Sequence, residues 1–257
     1  MEKIARLLGK ESDASMYALQ NGKLKKQLHE TFFDPKSNSY ASGSQIDLAY
    51  PLLTQIVPES LTEKVVNNLQ NEILNIRKGH IATGLVGIPV FTEWAVKSHA
   101  VDLFYNILKK RDYPGYLFMV DHGATTTWEH WSGDRSRIHN CYNGIGSWFY
   151  QAVGGIRPDE DYPGYRQVYL DPQIPQGVTW AKTSKETPYG TLVNNWVLEN
   201  NQLKMSIEVP VGCTAKVVLP GSTKDYELNG TPVKLAPQKD TLLVTLGSGK
   251  YTLSYNR

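Results

Sequence analysis

HNCYNGIGSWFYQAVGGI, His139 to Ile156, decides the architecture of this 257-residue chain. Its apolar residues fit a last helix over about 143–154, closed by Gly154-Gly155, because glycine lowers helix propensity and tolerates the backbone that ends a helix. Upstream, hydrophobic residues recur at three- and four-residue intervals. Downstream of Pro158 they alternate. The pattern predicts two domains, helical over 1–156 and β over 157–257.

In the helical part, Tyr17, Leu24, Leu28 and Phe32 make one stripe on a helix of about five turns. Leu61, Val65, Leu69, Ile73 and Ile76 make a second stripe. Ser60, with Glu63 three residues on, reads as a capping box for that helix, which Pro58 and Gly79 bracket. Further helices are predicted near 44–56, 88–97 and 99–110, the last carrying Val101, Phe104, Tyr105 and Leu108. Short polar or Gly/Pro links make successive helices antiparallel neighbours.

In the β part, Leu203, Met205, Ile207 and Val209 alternate. So do Ala215, Val217 and Leu219; Leu242, Val244 and Leu246; and Tyr251, Leu253 and Tyr255. Turn residues separate these runs at Asn200-Asn201, Pro220-Gly221, Asn229-Gly230 and Gly247-Ser248-Gly249. The expectation is an antiparallel β-sandwich, jelly-roll-like, of about 100 residues.

Composition narrows the function. Lys plus Arg number 27 against 25 Asp plus Glu, and a net charge of +2 is too even to point to nucleic acid or an anionic membrane. No apolar run reaches the roughly 18 residues of a membrane span. Cys141 and Cys213 lack metal-ligand spacing and read as unpaired small hydrophobes. Six Trp and 15 Tyr suit a protein that handles carbohydrate, and equally any well-packed enzyme.

The segment over roughly 111–140 breaks the helical period. It carries DYPGYLFMVDHGATTTWEHWSGDRSRIHN, too aromatic to be disordered, and irregular stretches of this length inside domains are usually functional. Glu129 sits between Trp128 and Trp131. Indole rings stack on the apolar face of a sugar while a carboxylate transfers a proton or positions water. The other reading makes the tryptophans core anchors, with Glu129 paired to Arg135 or Arg137. His139 offers a ring to bond a sugar hydroxyl or orient a carboxylate, or it caps the following helix. His80, in RKGHIATGLVG, stands likewise. Asp112, Asp121, Asp134 and Glu93 read as solvated or ion-paired. A serine nucleophile elbow, a phosphate-binding Gly loop and an HExxH motif are all absent from the sequence.

With these residues in view, the chain resembles the C-terminal part of glycoside hydrolase family 78, the bacterial α-L-rhamnosidases, over nearly its whole length. GHIATGLVGIPV is similar to the family's GHLTTGxxGTPY. DYPGYLFMVDHGATTTWEHW is similar to its DYPSWGxMVxxGATTxWExW, the most specific match. HNCYNGIGSWFYQAVGGI is similar to HYAFGxVGxWLYxxxAGI. The resemblance implies an (α/α)6 toroid followed by a β-sandwich, terminal α-L-rhamnose as substrate and an inverting mechanism; the sequence carries no metal-ligand motif, and neither a cofactor nor a metal is expected. The same resemblance makes Glu129 the general base and His139 a sugar contact, with His80, Thr83 and Trp128 in segments lining the cleft; Trp131, beside Glu129, is read with Trp128 as shaping the sugar pocket. Asn143 departs from the pattern, standing where the family has glycine. The connection from Glu129 to His139 is also shorter than in many members.

The resemblance also marks what is missing. A six-hairpin toroid needs twelve helices, and about seven are legible here. The family's general-acid motif, of the type DxxxRDExxxxxGD, has no match. The expectation is therefore a portion of a longer enzyme whose acid lies upstream. The whole protein would be periplasmic or secreted, as bacterial enzymes of this kind often are. Apolar helix faces left without partners would favour self-association. A sugar-binding remnant without turnover, or another glycosidase or lyase on the same toroid, are the alternative functions.

Overall fold

The computed structural model describes residues 1–235 and 241–257. The chain divides into two compact units, Met1–Ile145 and Gly146–Arg257.

The first unit opens with α1 (Glu2–Leu7) and α2 (Glu11–Phe32), then a small hairpin of β1 (Phe33–Asp34) and β2 (Ser39–Tyr40). There follow α3 (Gln45–Leu53), α4 (Glu59–Asn71), a π turn (Glu72–Ile76), α5 (Gly87–Lys97), α6 (Val101–Leu108) and α7 (Tyr116–Asp121). The unit closes on a 3-10 turn, Asn143–Ile145. α3 packs on both α4 and α5, so its main partners include a helix that does not follow it in sequence. Leu48, Val65, Leu69, Ile73, Ile88, Phe91 and Phe104 are buried. Phe91 stacks on Trp94 with centroids 5.7 Å apart and meets Phe104 at 5.5 Å.

Several sequence expectations change here. The capping box is not at Ser60, because α4 starts at Glu59 after the extended backbone of Pro58 and has no side-chain cap. Proline fixes φ near its own value, which sets the start one residue early and leaves Ser60 inside the first turn. The box belongs instead to α3, where Ser44 accepts from the Asp47 backbone and Asp47 accepts from the Ser44 backbone. Val65, Leu69 and Ile73 are buried as the stripe requires, but Ile76 is exposed. The π turn over Glu72–Ile76 adds a residue to the period and rotates Ile76 off the stripe. The segment over 111–140 is not wholly irregular, since it contains α7. Six residues are too few for a helical period to show in the sequence.

The second unit begins with α8 (Gly146–Trp148), which runs into a π turn, Phe149–Val153. The single helix predicted over 143–154 is thus broken into 3-10, α and π turns. Among the described residues eleven strands follow: β3 (Ile156–Pro158), β4 (Gln167–Leu170), β5 (Trp180–Ala181), β6 (Ser184–Thr187), β7 (Gly190–Glu199), β8 (Gln202–Val209), β9 (Thr214–Leu219), β10 (Asp225–Leu228), β11 (Thr231–Lys234), β12 (Leu242–Leu246) and β13 (Gly249–Asn256).

The larger sheet has the order β11-β10-β13-β8-β7-β5, with β6 also paired to β7; the smaller runs β12-β9-β4-β3. Pairing is antiparallel except between β4 and β9, which run parallel. The alternation read from sequence supplies part of the core, and Leu170, Leu192 and Trp196 join it from strands outside that reading. Leu192, Trp196, Leu203, Met205 and Ile207 come from the larger sheet, Leu170, Ala215, Val217, Leu219 and Leu246 from the smaller. The buried indole of Trp196 donates to the Val153 carbonyl at 2.7 Å, and Asn194 donates to Gly154 at 2.8 Å. Both bonds satisfy carbonyls at the end of the π turn that the helix leaves without partners. Gly155, with φ +69°, makes the switch from turn to strand, because a Cβ there would lie 2.4 Å from the Pro172 nitrogen.

Candidate active site

The signature segment folds as a closed loop in the first unit. The Glu129 N–H donates to the Ser136 carbonyl at 2.8 Å, and the His139 N–H donates to the Thr127 carbonyl at 3.0 Å. The Thr126 and Thr127 hydroxyls donate to the carbonyls of Arg137 and His139, both at 2.5 Å. Residues 126–129 therefore run antiparallel to 136–139, and ten residues of sequence separation collapse into one site. Two of the three threonines hold the loop rather than face a ligand.

Gly133 closes the far end of the loop. Its φ is +74°, and a Cβ would stand 2.7 Å from the Trp128 ring. Trp128 is buried beneath it, and the Arg137 guanidinium covers the ring at 5.1 Å while donating to the Gly133 carbonyl. Trp128 is thus a core anchor of the loop. Arg137 spends its charge on the indole rather than on Glu129.

Glu129 is half-buried, and its Oε2 accepts from the Ser136 N–H at 3.3 Å. The neighbouring acids all have cationic or hydroxyl partners. Asp112 meets His80 at 3.2 Å and Lys110 at 3.7 Å. Asp121 pairs with Arg111, Asp134 with His130, and Glu93 with Lys97. The Ser132 hydroxyl holds the Asp134 carboxyl below the usual carboxylate range, outweighing desolvation, with His130 adding to it. For Asp112, burial pushes upward, but a backbone N–H and the charges of His80 and Lys110 carry it below that range. Among the described residues, Glu129 is the carboxylate of this segment with no ion pair. Such a group keeps lone pairs for water or a ligand.

His139 presents its ring with one nitrogen engaged. Nδ1 accepts from the Cys141 N–H at 3.2 Å, so in the neutral ring the proton sits on Nε2, ready to donate to an oxygen. His80 is held differently. Its Nδ1 donates to the Pro114 carbonyl at 2.8 Å and its Nε2 faces Asp112. Both partners accept, so forming both bonds takes the doubly protonated ring. His80 fastens two loops to each other.

A cleft of about 460 Å³ is lined by His80, Thr83, Tyr113, Pro114 and Trp131, together with Arg77 and Lys78. Trp131 stacks on Tyr142 with centroids 4.0 Å apart and meets Tyr116 edge-on at 5.1 Å. The Tyr116 hydroxyl donates to the Tyr142 carbonyl at 3.0 Å, and burial pushes it well above the ordinary phenol range. Thr83 lies against Gly87 at the start of α5, where a Cβ would collide with its hydroxyl.

The predicted residues therefore fall into two groups. Glu129, Trp128 and His139 share the closed loop. His80, Thr83 and Trp131 share the cleft, and Trp131 belongs to both because it also lies on the loop. Sequence reading missed Ser136, Tyr116, Tyr142 and Gly133. Only Gly133 left a signal, as a glycine between two polar residues in an aromatic segment. Asn143, which replaces the family's glycine, is accommodated in the 3-10 turn, with its side-chain amide 2.5 Å from the Thr127 hydroxyl.

The model of the bacterial alpha-L-rhamnosidase six-hairpin glycosidase domain matches residues 1–153, and the model of the corresponding C-terminal domain matches 155–233. The chain belongs to the bacterial alpha-L-rhamnosidase family. An alpha-L-rhamnosidase from Formosa agariphila is 32% identical over 83% of this chain, which covers 24% of that protein. One from Streptomyces avermitilis is 25% identical over 98% of the chain and 25% of its own length. The alpha-L-rhamnosidase structure from Dictyoglumus thermophilum superposes with a TM-score of 0.89 at 25% identity, covering 100% of this chain and 30% of that one. The chain thus spans about a quarter of the length of the curated rhamnosidases it matches. The helical-then-β order is that of the rhamnosidase six-hairpin toroid and its C-terminal β domain.

Proposed function

We propose that this chain carries the base side of an alpha-L-rhamnosidase site that removes terminal α-L-rhamnose with inversion. The observation that supports this most is Glu129, half-buried, flanked in sequence by Trp128 and Trp131, and without the ion pairs that occupy the neighbouring acids among the described residues. An unpaired carboxylate remains an acceptor and can take a proton from water as that water attacks the anomeric carbon. The Nε2 of His139, on the facing arm of the same loop, donates to a sugar hydroxyl and orients the ring. Trp131, braced by Tyr116 and Tyr142, offers an aromatic edge to the cleft.

Inversion needs a second carboxyl roughly 6.5–9.5 Å from the first, to protonate the leaving oxygen while leaving room for water. The other acids of the 111–140 segment are committed to partners, so we assign that role to a residue outside the segment, supplied by the rest of the whole enzyme. The full activity belongs to that assembly.

The stereochemistry is directly testable. Dinitrophenyl α-L-rhamnoside has a leaving group that departs without protonation, and proton NMR in the first minutes reports which anomer of rhamnose appears first. The β-anomer is the expected product. First release of the α-anomer would overturn the assignment of Glu129 as a base and make it a nucleophile.

A further inference from the structure

The cleft beside the loop is charged in a way that a neutral sugar does not require. Arg77 and Lys78 both line it, and among its described lining residues there is no carboxylate. Among the described residues Arg77 engages Nε alone, on buried Glu72 at 2.9 Å, and its side chain is half exposed. Its two terminal nitrogens keep the fork that matches an oxyanion with two parallel bonds. Lys78 makes no ion pair among the described residues. Its φ is +54°, followed by Gly79 at +80°, two successive left-handed residues at the end of the π turn. A side chain with a Cβ rarely adopts that backbone. Across the cleft, Tyr113 is exposed and rests edge-on against Phe118 at 5.4 Å, and Trp131 stands beside it. Two cations and two aromatic rings in one cleft have the chemistry of a site for a ring that carries a negative charge.

We propose that this cleft binds the anionic group of an acidic glycan, the carboxylate of a uronate or a sulfate ester on the sugar next to the terminal rhamnose. Arg77 and Lys78 supply the counter-charges, and Tyr113 and Trp131 contact the ring. The proposal rests on the reading of the Glu129 loop as a rhamnoside site and adds the class of the neighbouring sugar.

The test is calorimetric titration of the whole chain with three probes: rhamnosyl-glucuronate, rhamnosyl-glucose and the sulfate ester of rhamnosyl-glucose. The charged probes should bind about five- to tenfold more tightly than the neutral one, a gain typical of one or two charge-assisted contacts. The gain should shrink as salt is raised. Lys78→Asn keeps a residue that tolerates the left-handed turn and should remove most of the preference, without the buried Glu72 being exposed as it would be by changing Arg77. Tighter binding of the glucuronate than the sulfate identifies a uronate as the source of charge, and the reverse order a sulfate ester. Equal binding of charged and neutral probes, or a preference unchanged in Lys78→Asn, overturns the anionic site and leaves the rhamnoside reading standing. Binding of none of the three overturns both.

Discussion

In the β unit, the alternating residues of β8 and β9 leave Leu203 and Val217 at 0% exposure, whereas the stripe of α2 in the helical unit leaves Leu24 and Phe32 at 56 and 49%, with Tyr17 and Leu28 only half-buried. Both regions have a clear hydrophobic period in the sequence. The difference lies in the partner. Each sheet of the β unit lies against the other, so period and burial agree. The α2 stripe has the spacing of a buried face, yet of its 22 residues only Ala14 is buried. Periodicity thus reports what a segment is built to pack against, and the packing itself needs that surface to be present. In the rhamnosidases it matches, of whose length this chain covers about a quarter, the remainder of the six-hairpin domain would supply such surfaces.

The largest effect should come from breaking the closed core. Trp196→Ala removes a buried indole and its bond to Val153, and should cost the β unit about 3–5 kcal/mol, read as a lower urea midpoint. A midpoint unchanged within error would show that the two sheets do not depend on this contact.

Next comes the loop of the other unit. Gly133→Ala forces a Cβ into a left-handed backbone and into the Trp128 ring. A loss of about 2–3 kcal/mol, with increased quenching of tryptophan fluorescence by acrylamide, is the expected outcome.

Ser44→Ala deletes the capping box of α3 and should cost about 1 kcal/mol. The same box has a pH signature. Burial pushes Asp47 upward, but hydrogen bonds from Ser42 and Ser44 outweigh it and hold its carboxyl below the ordinary value of 3.8. Its stabilisation is therefore complete above that value and disappears as pH falls through the depressed one. In Ser44→Ala the acid limb of the stability profile should flatten.

The smallest stability effect belongs to the exposed face. Leu24→Gln with Phe32→Gln should change the midpoint by less than about 0.5 kcal/mol. Sedimentation should nevertheless show weaker concentration-dependent association than in the parent chain, because the face is apolar and solvent-exposed. A monodisperse parent chain at all concentrations would remove the self-association expected from the sequence.

The legible parts of the molecule were those with a repeating pattern. The strands β8, β9, β12 and β13 follow the alternation residue for residue, and the stripe that starts in α4 holds from Val65 into the π turn at Ile73. Where a local rule competed with a neighbour, the reading failed. Pro58 outweighed the Ser60 capping signal, and the π turn displaced Ile76. The site was half legible. Glu129, Trp128 and His139 stood out by residue type and by family motif. Their closure into one loop depends on backbone bonds between Thr127 and His139 and between Glu129 and Ser136, which leave no pattern in side-chain identity. The parallel pairing of β4 with β9 was invisible for the same reason, since strand direction is set by the connection and not by alternation.

Glu129 acting as a base is the step on which the proposed site depends. Its most direct test is turnover of dinitrophenyl α-L-rhamnoside by this chain beside its Glu129→Gln variant, which keeps size and hydrogen bonding but cannot accept the proton. Measurable release of dinitrophenolate is expected from the parent, with a loss of about 100-fold or more in the variant, the usual scale of general-base catalysis. Equal turnover in the two would contradict it, and so would rhamnose binding by the parent with no turnover at all.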